Sequence, residues 1–280
     1  MIPLKDNLPT SRFPVLTVAL IVINIAVFAW QTQLPENREL AQVGISAGID
    51  QSAIEYGAIP YRMTHPGESE CGLVGVRDAQ GVRAEIFCEG QREFDRAERA
   101  GAVLPLDMAA WWLTLLTSMF MHGGILHLAG NMLFLWIFGN NIEDSMGRGR
   151  FILFYLLAGL VAVYAQALID PQSTTPTIGA SGAVAGVLGG YALLHPRARV
   201  LTFVIIIFFV TLIEVPAMIM LGLWFILQFL PAVGQTAISE VGSDGGVAYF
   251  AHVGGFIFGL AAIKLFANRY RAGLTPSARY

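Results

Sequence analysis

Apolar residues in this chain come in long unbroken blocks rather than at alternating positions or on one face of a helix. The blocks are Phe13–Trp30, Ile125–Ile142, Phe151–Ile169, Ser181–Leu194, Val200–Leu230 and Gly246–Ala267. A hydrocarbon layer about 30 Å thick needs roughly 20 apolar residues of helix to cross it. Val200–Leu230, at 31 residues, is too long for one ordinary span. Glu214 and Pro216 divide it, so a fifth span falls at about Val215–Leu230 and Val200–Ile213 is left as an interfacial or irregular lead-in. Leu106–Met121 is apolar but short, and Trp111 and Trp112 suit a helix lying in the membrane interface. The pattern predicts an all-α polytopic membrane protein with six spans.

Phe13–Trp30 follows Lys5 and Arg12 in the manner of a signal peptide. Its apolar run exceeds the usual signal core and no small-x-small cleavage site follows, so it reads as a retained anchor. Asn24 is its one strongly polar residue, placed to bond another helix. Residues 31–107 contain no span and carry 7 Lys and Arg against 13 Asp and Glu.

Six spans put both termini on one side. Lys5, Arg12, Arg148, Arg150, Arg197, Arg199, Lys264, Arg269, Arg271 and Arg279 all fall there, while the opposite short loops near 170–178 and 231–245 have no Lys or Arg. By the positive-inside rule the termini are cytoplasmic and residues 31–107 are outside. The expected setting is a bacterial inner (cell) membrane. If the outer compartment is oxidising, Cys71 and Cys88 can pair as a disulfide; otherwise they are two free thiols.

Composition agrees with this class. Hydrophobic residues are 55% and charged residues 13% of the 280 positions, about half the charged share of a soluble domain. A net charge of −3 gives no electrostatic case for nucleic acid. No cofactor or metal site is expected: no His-Glu-x-x-His pattern occurs, and only His65 lies near the cysteines.

Candidate chemistry concentrates at Thr177-Ile178-Gly179-Ala180-Ser181-Gly182-Ala183, a serine among small residues at the start of a short apolar helix. That helix carries Gly182, Gly186 and Gly190, and the last apolar block carries Ala251, Gly255 and Gly259. Two such small-residue rows can bring helix backbones together, and His252 would then approach Ser181. The depths agree, with 16 residues from Ser181 to Arg197, 17 from His252 to Arg269 and 17 from Asn131 to Arg148. Amide hydrolysis needs a nucleophile, a base and donors for the oxyanion. Ser181 supplies the hydroxyl and His252 the base, and no Asp or Glu occupies the apolar parts of their helices.

Gly179-Ala180-Ser181-Gly182, His127-Leu128-Ala129-Gly130-Asn131 and Ala251-His252-Val253-Gly254-Gly255 resemble, in chain order, the motifs of the rhomboid intramembrane serine proteases. The resemblance covers roughly residues 13–30 and 106–268. It implies a six-transmembrane-helix rhomboid-like bundle (13–268) with a long first extracytoplasmic loop (31–107), a cytoplasmic N-terminal segment (1–12) and a cytoplasmic tail (269–280). It implies a Ser181–His252 dyad that cleaves single-span membrane proteins within the lipid bilayer. By motif match it assigns Asn131 and His127, with the Ser181 backbone N–H, to the oxyanion hole, against a structural role for His127 bonded across helices. His122 reads as bracing the first loop, and Glu143 as structural.

Two departures from the family pattern stand out. Trp111-Trp112-Leu113-Thr114 lacks the Trp-Arg pair common in the first loop. Ala185, one turn after the serine, is smaller than usual, so packing on His252 is expected from Tyr249 or Phe250. The alternative function is a catalytically weak rhomboid-like adaptor that only binds transmembrane helices; such a protein would be expected to have lost Ser181 or His252. A transporter would be expected to show paired charges within the spans, and Glu214 near a boundary is a poor candidate.

Overall fold

The computed structural model describes residues 2–35, 37–42, 45, 48–67, 70–78, 81–206, 209–237 and 248–268. Strand β1 (Ile2–Asp6) precedes helix α1 (Val15–Gln31). A small mixed segment follows: α2 (Arg38–Gln42), α3 (Ile49–Tyr56), α4 (Pro60–Thr64), β2 (Cys71–Asp78), β3 (Gly81–Cys88), α5 (Arg92–Arg99), β4 (Val103–Pro105) and α6 (Trp111–Thr117). Helix α7 (Ile125–Phe134) runs through a π turn, Leu135–Gly139, into α8 (Asn140–Met146), and α9 (Arg148–Ile169) returns. Then come α10 (Ser181–Leu194), the hairpin β5 (Arg199–Ile206) and β6 (Phe209–Pro216), α11 (Ala217–Ala237) and α12 (Tyr249–Phe266).

Among the described residues three helices are long and apolar enough to cross a membrane: Ile125–Met146, Arg148–Ile169 and Tyr249–Phe266. Val15–Gln31, Ser181–Leu194 and Ala217–Leu230 are shorter apolar helices. The protein is an α-helical integral membrane protein. The 269–280 tail and positions 238–247, with the basic residues beyond Asn268, lie outside the described residues.

Helix α10 is the centre of the bundle, because twelve of its fourteen residues are buried. Its sequence has no charge and little bulk, which is tolerable only where other helices surround it. A Cβ added at Gly255 would lie 2.1 Å from the Gly182 carbonyl oxygen, and one at Gly259 2.0 Å from the Gly186 carbonyl oxygen. The α10 and α12 backbones are therefore in direct contact along the two small-residue rows. A Cβ at Gly182 would also meet Ala162 of α9 at 2.4 Å. Below these rows Phe138, Phe151, Phe154, Tyr155 and Tyr191 fill the core.

The all-α expectation needs correction, for two three-stranded antiparallel sheets accompany the bundle, ordered β1-β5-β6 and β3-β2-β4. The described residues of Val200–Ile213 are not an irregular lead-in but belong to strands β5 and β6, with Val200 opposite Val215 and Thr202 opposite Ile213. Residues 1–12, read as a plain terminal segment, supply β1, with Ile2 opposite Phe203. The cause is local: the run is rich in β-branched residues, which favour strands. Val200, Thr202 and Val204 are buried while Leu201 and Leu212, on the opposite face, are exposed. Because the outward face is also apolar, the alternation of a strand is hidden in a hydropathy reading. Glu214 pairs with Arg199 across this hairpin at 3.7 Å, with both side chains mostly exposed.

Two acidic residues tie this sheet and α1 to the bundle. The Asp6 carboxylate accepts hydrogen bonds from Asn141 Nδ2 (2.7 Å) and the Tyr191 hydroxyl (2.6 Å). Glu143 accepts from the Leu16 and Thr17 N–H groups and from the Thr17 hydroxyl, capping the first turn of α1. A carboxylate there satisfies free N–H groups and complements the positive helix end.

A disulfide joins Cys71 and Cys88, which sit directly opposite on β2 and β3. The segment holding it grips the chain just before α10. Ala58 and Thr177 exchange two backbone hydrogen bonds, of 3.1 and 2.8 Å. The Tyr61 N–H donates to the Ser173 carbonyl, and the Thr64 hydroxyl to the Pro171 carbonyl.

Candidate active site

Ser181 is the first residue of α10, and the chain reaches it through Gly179 at φ +117°. L side chains rarely adopt that backbone conformation. A Cβ at Gly179 would also lie 2.7 Å from His127 Nε2 and 3.5 Å from Ser181 Oγ. Glycine is required on both counts, and the same test places the His127 ring and the Ser181 hydroxyl against one face of residue 179. The Gly179 N–H donates to the Ser118 carbonyl at 2.8 Å, anchoring this turn to the 3₁₀ turn after α6.

His252, in the first turn of α12, brings Nε2 to 2.7 Å from Ser181 Oγ. The glycine contacts between α10 and α12 make this approach possible, since any larger residue at Gly255 would force the backbones apart. A hydroxyl bonded to an imidazole nitrogen can lose its proton to that nitrogen as it attacks a carbon.

His127 and Asn131, four residues apart, share a face of α7. The Gly123 N–H points at His127 Nδ1 at 3.4 Å, and Nε2 lies on the side of Gly179 and Ser181. Asn131 is buried, and its Nδ2 has no hydrogen-bond partner among the described residues. The geometry thus brings Ser181, His252 and His127 together, with Asn131 one turn along from His127. Cys71 and Cys88 are elsewhere, in the sheet. His122 is buried, its N–H bonded to Gln31 Oε1 and its ring edge-on to His127 at 5.1 Å.

Two residues near His252 escaped the sequence reading. Its Nδ1 is 2.8 Å from Gln228 Oε1 on α11. The packing expected from Tyr249 or Phe250 is instead that of Trp224, also on α11, whose ring centre is 6.0 Å from the imidazole. Gln228 had one available signal: it is the sole amide-bearing residue in the apolar stretch Val215–Leu230.

The fold and site define a polytopic helical membrane protein with a serine–histidine pair set between its central helix and its last described helix. The Rhomboid domain family model matches residues 109–269, more than half of the chain, and the chain belongs to the rhomboid family. It is 47% identical over 79 residues to the rhomboid protease GluP of Bacillus subtilis, covering 28% of this chain and 15% of that one. It is 32% identical over 162 residues to the mitochondrial Rhomboid protein 1 of Saccharomyces cerevisiae, covering 56% and 43%. It is also 32% identical over 87 residues to the mitochondrial presenilin-associated rhomboid-like protein of Bos taurus, covering 30% and 23%. The matched regions thus take in less than half the length of each of these relatives.

Proposed function

We propose that this chain is an intramembrane serine endopeptidase acting through Ser181 and His252. The observation that carries the reading is the 2.7 Å contact between Ser181 Oγ and His252 Nε2. His252 takes the hydroxyl proton as Oγ attacks the substrate carbonyl carbon. The resulting oxyanion is held by the Ser181 N–H, Asn131 Nδ2 and His127 Nε2–H. Collapse of the intermediate expels the amine with the proton from His252, and water then releases the acyl group by the same steps in reverse order. An intact dyad argues against the adaptor reading.

The proposed arrangement has six membrane helices, α1, α7–α8, α9, α10, α11 and α12, with both termini cytoplasmic and residues 31–107 outside. The charge bias supports this orientation. A bacterial cell membrane remains the proposed location, and the mitochondrial relatives supply an organellar membrane as the second reading. Substrates are proposed to be single-span proteins, cut after a small residue near a helix-weakening Gly or Pro. A peptide carbonyl inside a regular helix is hydrogen-bonded and screened, so the segment must unwind to be attacked.

The test is labelling of purified protein in detergent with a fluorophosphonate, alongside cleavage of a transmembrane substrate. Wild type is expected to label and cleave, and Ser181→Ala and His252→Ala to do neither while remaining folded, because the two residues act as a unit. Cleavage retained by Ser181→Ala refutes the reading.

A further inference from the structure

We propose that Gln228 is a positioning residue that completes a Ser181–His252–Gln228 triad; the inference rests on the serine-protease reading above. A neutral imidazole can receive the serine proton at Nε2 only if its own proton is on Nδ1. A histidine side chain in water prefers the other tautomer, so the base needs an acceptor facing Nδ1. Gln228 Oε1, 2.8 Å from Nδ1, is that acceptor. The proton on Nδ1 stays there throughout. When Nε2 takes the serine proton, the imidazolium strengthens the Nδ1–H···Oε1 bond, and when Nε2 returns it the bond relaxes.

Two observations make this a built contact rather than a chance one. Gln228 lies four residues after Trp224 on α11, and residues at that spacing share a helix face. One turn of α11 therefore brings an aromatic ring and an amide to the same imidazole, and Trp224 packs in turn on Phe256 of α12 at 6.1 Å. Further, Ser181 and His252 come from α10 and α12, whose backbones are locked by glycine contacts, whereas the third group arrives from a separate helix. The Nδ1 bond thus ties the orientation of the base to the seating of α11.

The experiment follows the rate of fluorophosphonate labelling of the full chain in detergent against pH, over about pH 5 to 9, bracketing the ordinary histidine range. Gln228→Leu removes the acceptor at similar size. It is expected to label at least tenfold slower, and to cleave a transmembrane substrate with reduced kcat and little change in KM. Gln228→Glu restores an acceptor and adds a negative charge that favours the imidazolium. It is expected to recover most of the rate, with the half-maximal pH moved up by about one unit or more. Gln228→Met, whose thioether is only a weak acceptor, serves as a second variant should the leucine protein fail to fold.

A folded Gln228→Leu or Gln228→Met protein with the wild-type rate and pH midpoint overturns the proposal. So does a glutamate variant that is as slow as the leucine one with an unmoved midpoint. These outcomes are separable from failure of the underlying reading, which would appear as labelling or cleavage retained by Ser181→Ala.

Discussion

Asn131 keeps a buried side-chain N–H without a partner among the described residues, and such a group costs a fold about 1–3 kcal/mol. A residue retained only for structure would relieve that cost by finding an acceptor, whereas a donor awaiting a transient oxyanion must stay unpaired between turnovers. The two roles predict opposite results for Asn131→Ala. We expect its thermal stability in detergent to match or exceed wild type while the cleavage rate falls by about 10²–10³, as for loss of one oxyanion donor. A destabilised variant with an unchanged rate would assign Asn131 to structure. The motif was legible in the sequence, since His127 and Asn131 are spaced for one helix face. The contact of Gly123 with His127 Nδ1 was not, because it depends on the chain before α7 folding back onto the ring.

At the scale of elements, the α10–α12 contact fixes the geometry of the dyad. Gly255→Ala would drive a methyl group to 2.1 Å from the Gly182 carbonyl oxygen, and backbone yields less readily than a side chain. Overpacking of this kind costs about 1–3 kcal/mol. We expect Gly255→Ala to lower the unfolding midpoint and also to slow fluorophosphonate labelling, since the helices must separate where His252 meets Ser181. A stable variant with unaltered labelling would show that the backbones have slack.

The disulfide segment gives a second test at this scale. Cys71 and Cys88 are 17 residues apart, and closing a loop of about that size contributes about 3 kcal/mol. Replacing both with Ser should make residues 31–107 more open to limited proteolysis and leave the unfolding midpoint of the bundle unchanged. Coincident loss of both would mean that the segment and the bundle unfold as one unit. Loss of the grip on residues 171–177 should further slow cleavage, because that stretch leads into Ser181.

Across the whole molecule, Asp6 joins the terminal sheet to α8 and α10 through Asn141 and Tyr191. Burial raises its pKa above the ordinary value, more than the bond from Tyr191 lowers it. The native state therefore holds this proton more tightly than the unfolded chain does. The stability it contributes is fully present below the ordinary carboxylate pKa and is lost as pH rises through the raised value. We expect unfolding midpoints measured over about pH 4 to 7 to decline across that window. In Asp6→Asn, which keeps an acceptor for both donors, that component of the decline should vanish. An identical slope in the variant would place the titration elsewhere.

The sequence by itself determined the membrane class, the family, the limits of α10 and the pairing of Ser181 with His252. Each of these rests on a signal local in the chain or on equal depth along apolar helices. Unbroken hydrophobicity reports the solvent, a helix start reports its own cap region, and glycine spacing reports where backbones can touch. Only the tertiary structure decided that Arg199–Ile206 and Phe209–Pro216 pair as strands and recruit Ile2–Asp6, because an apolar outer face conceals the alternation that marks a sheet. It likewise decided that Trp224 and Gln228 meet His252. Those contacts join residues far apart in the chain and lie on a helix with no small-residue row aimed at its neighbours. They are set by how α11 seats against α12, which no spacing within either helix encodes.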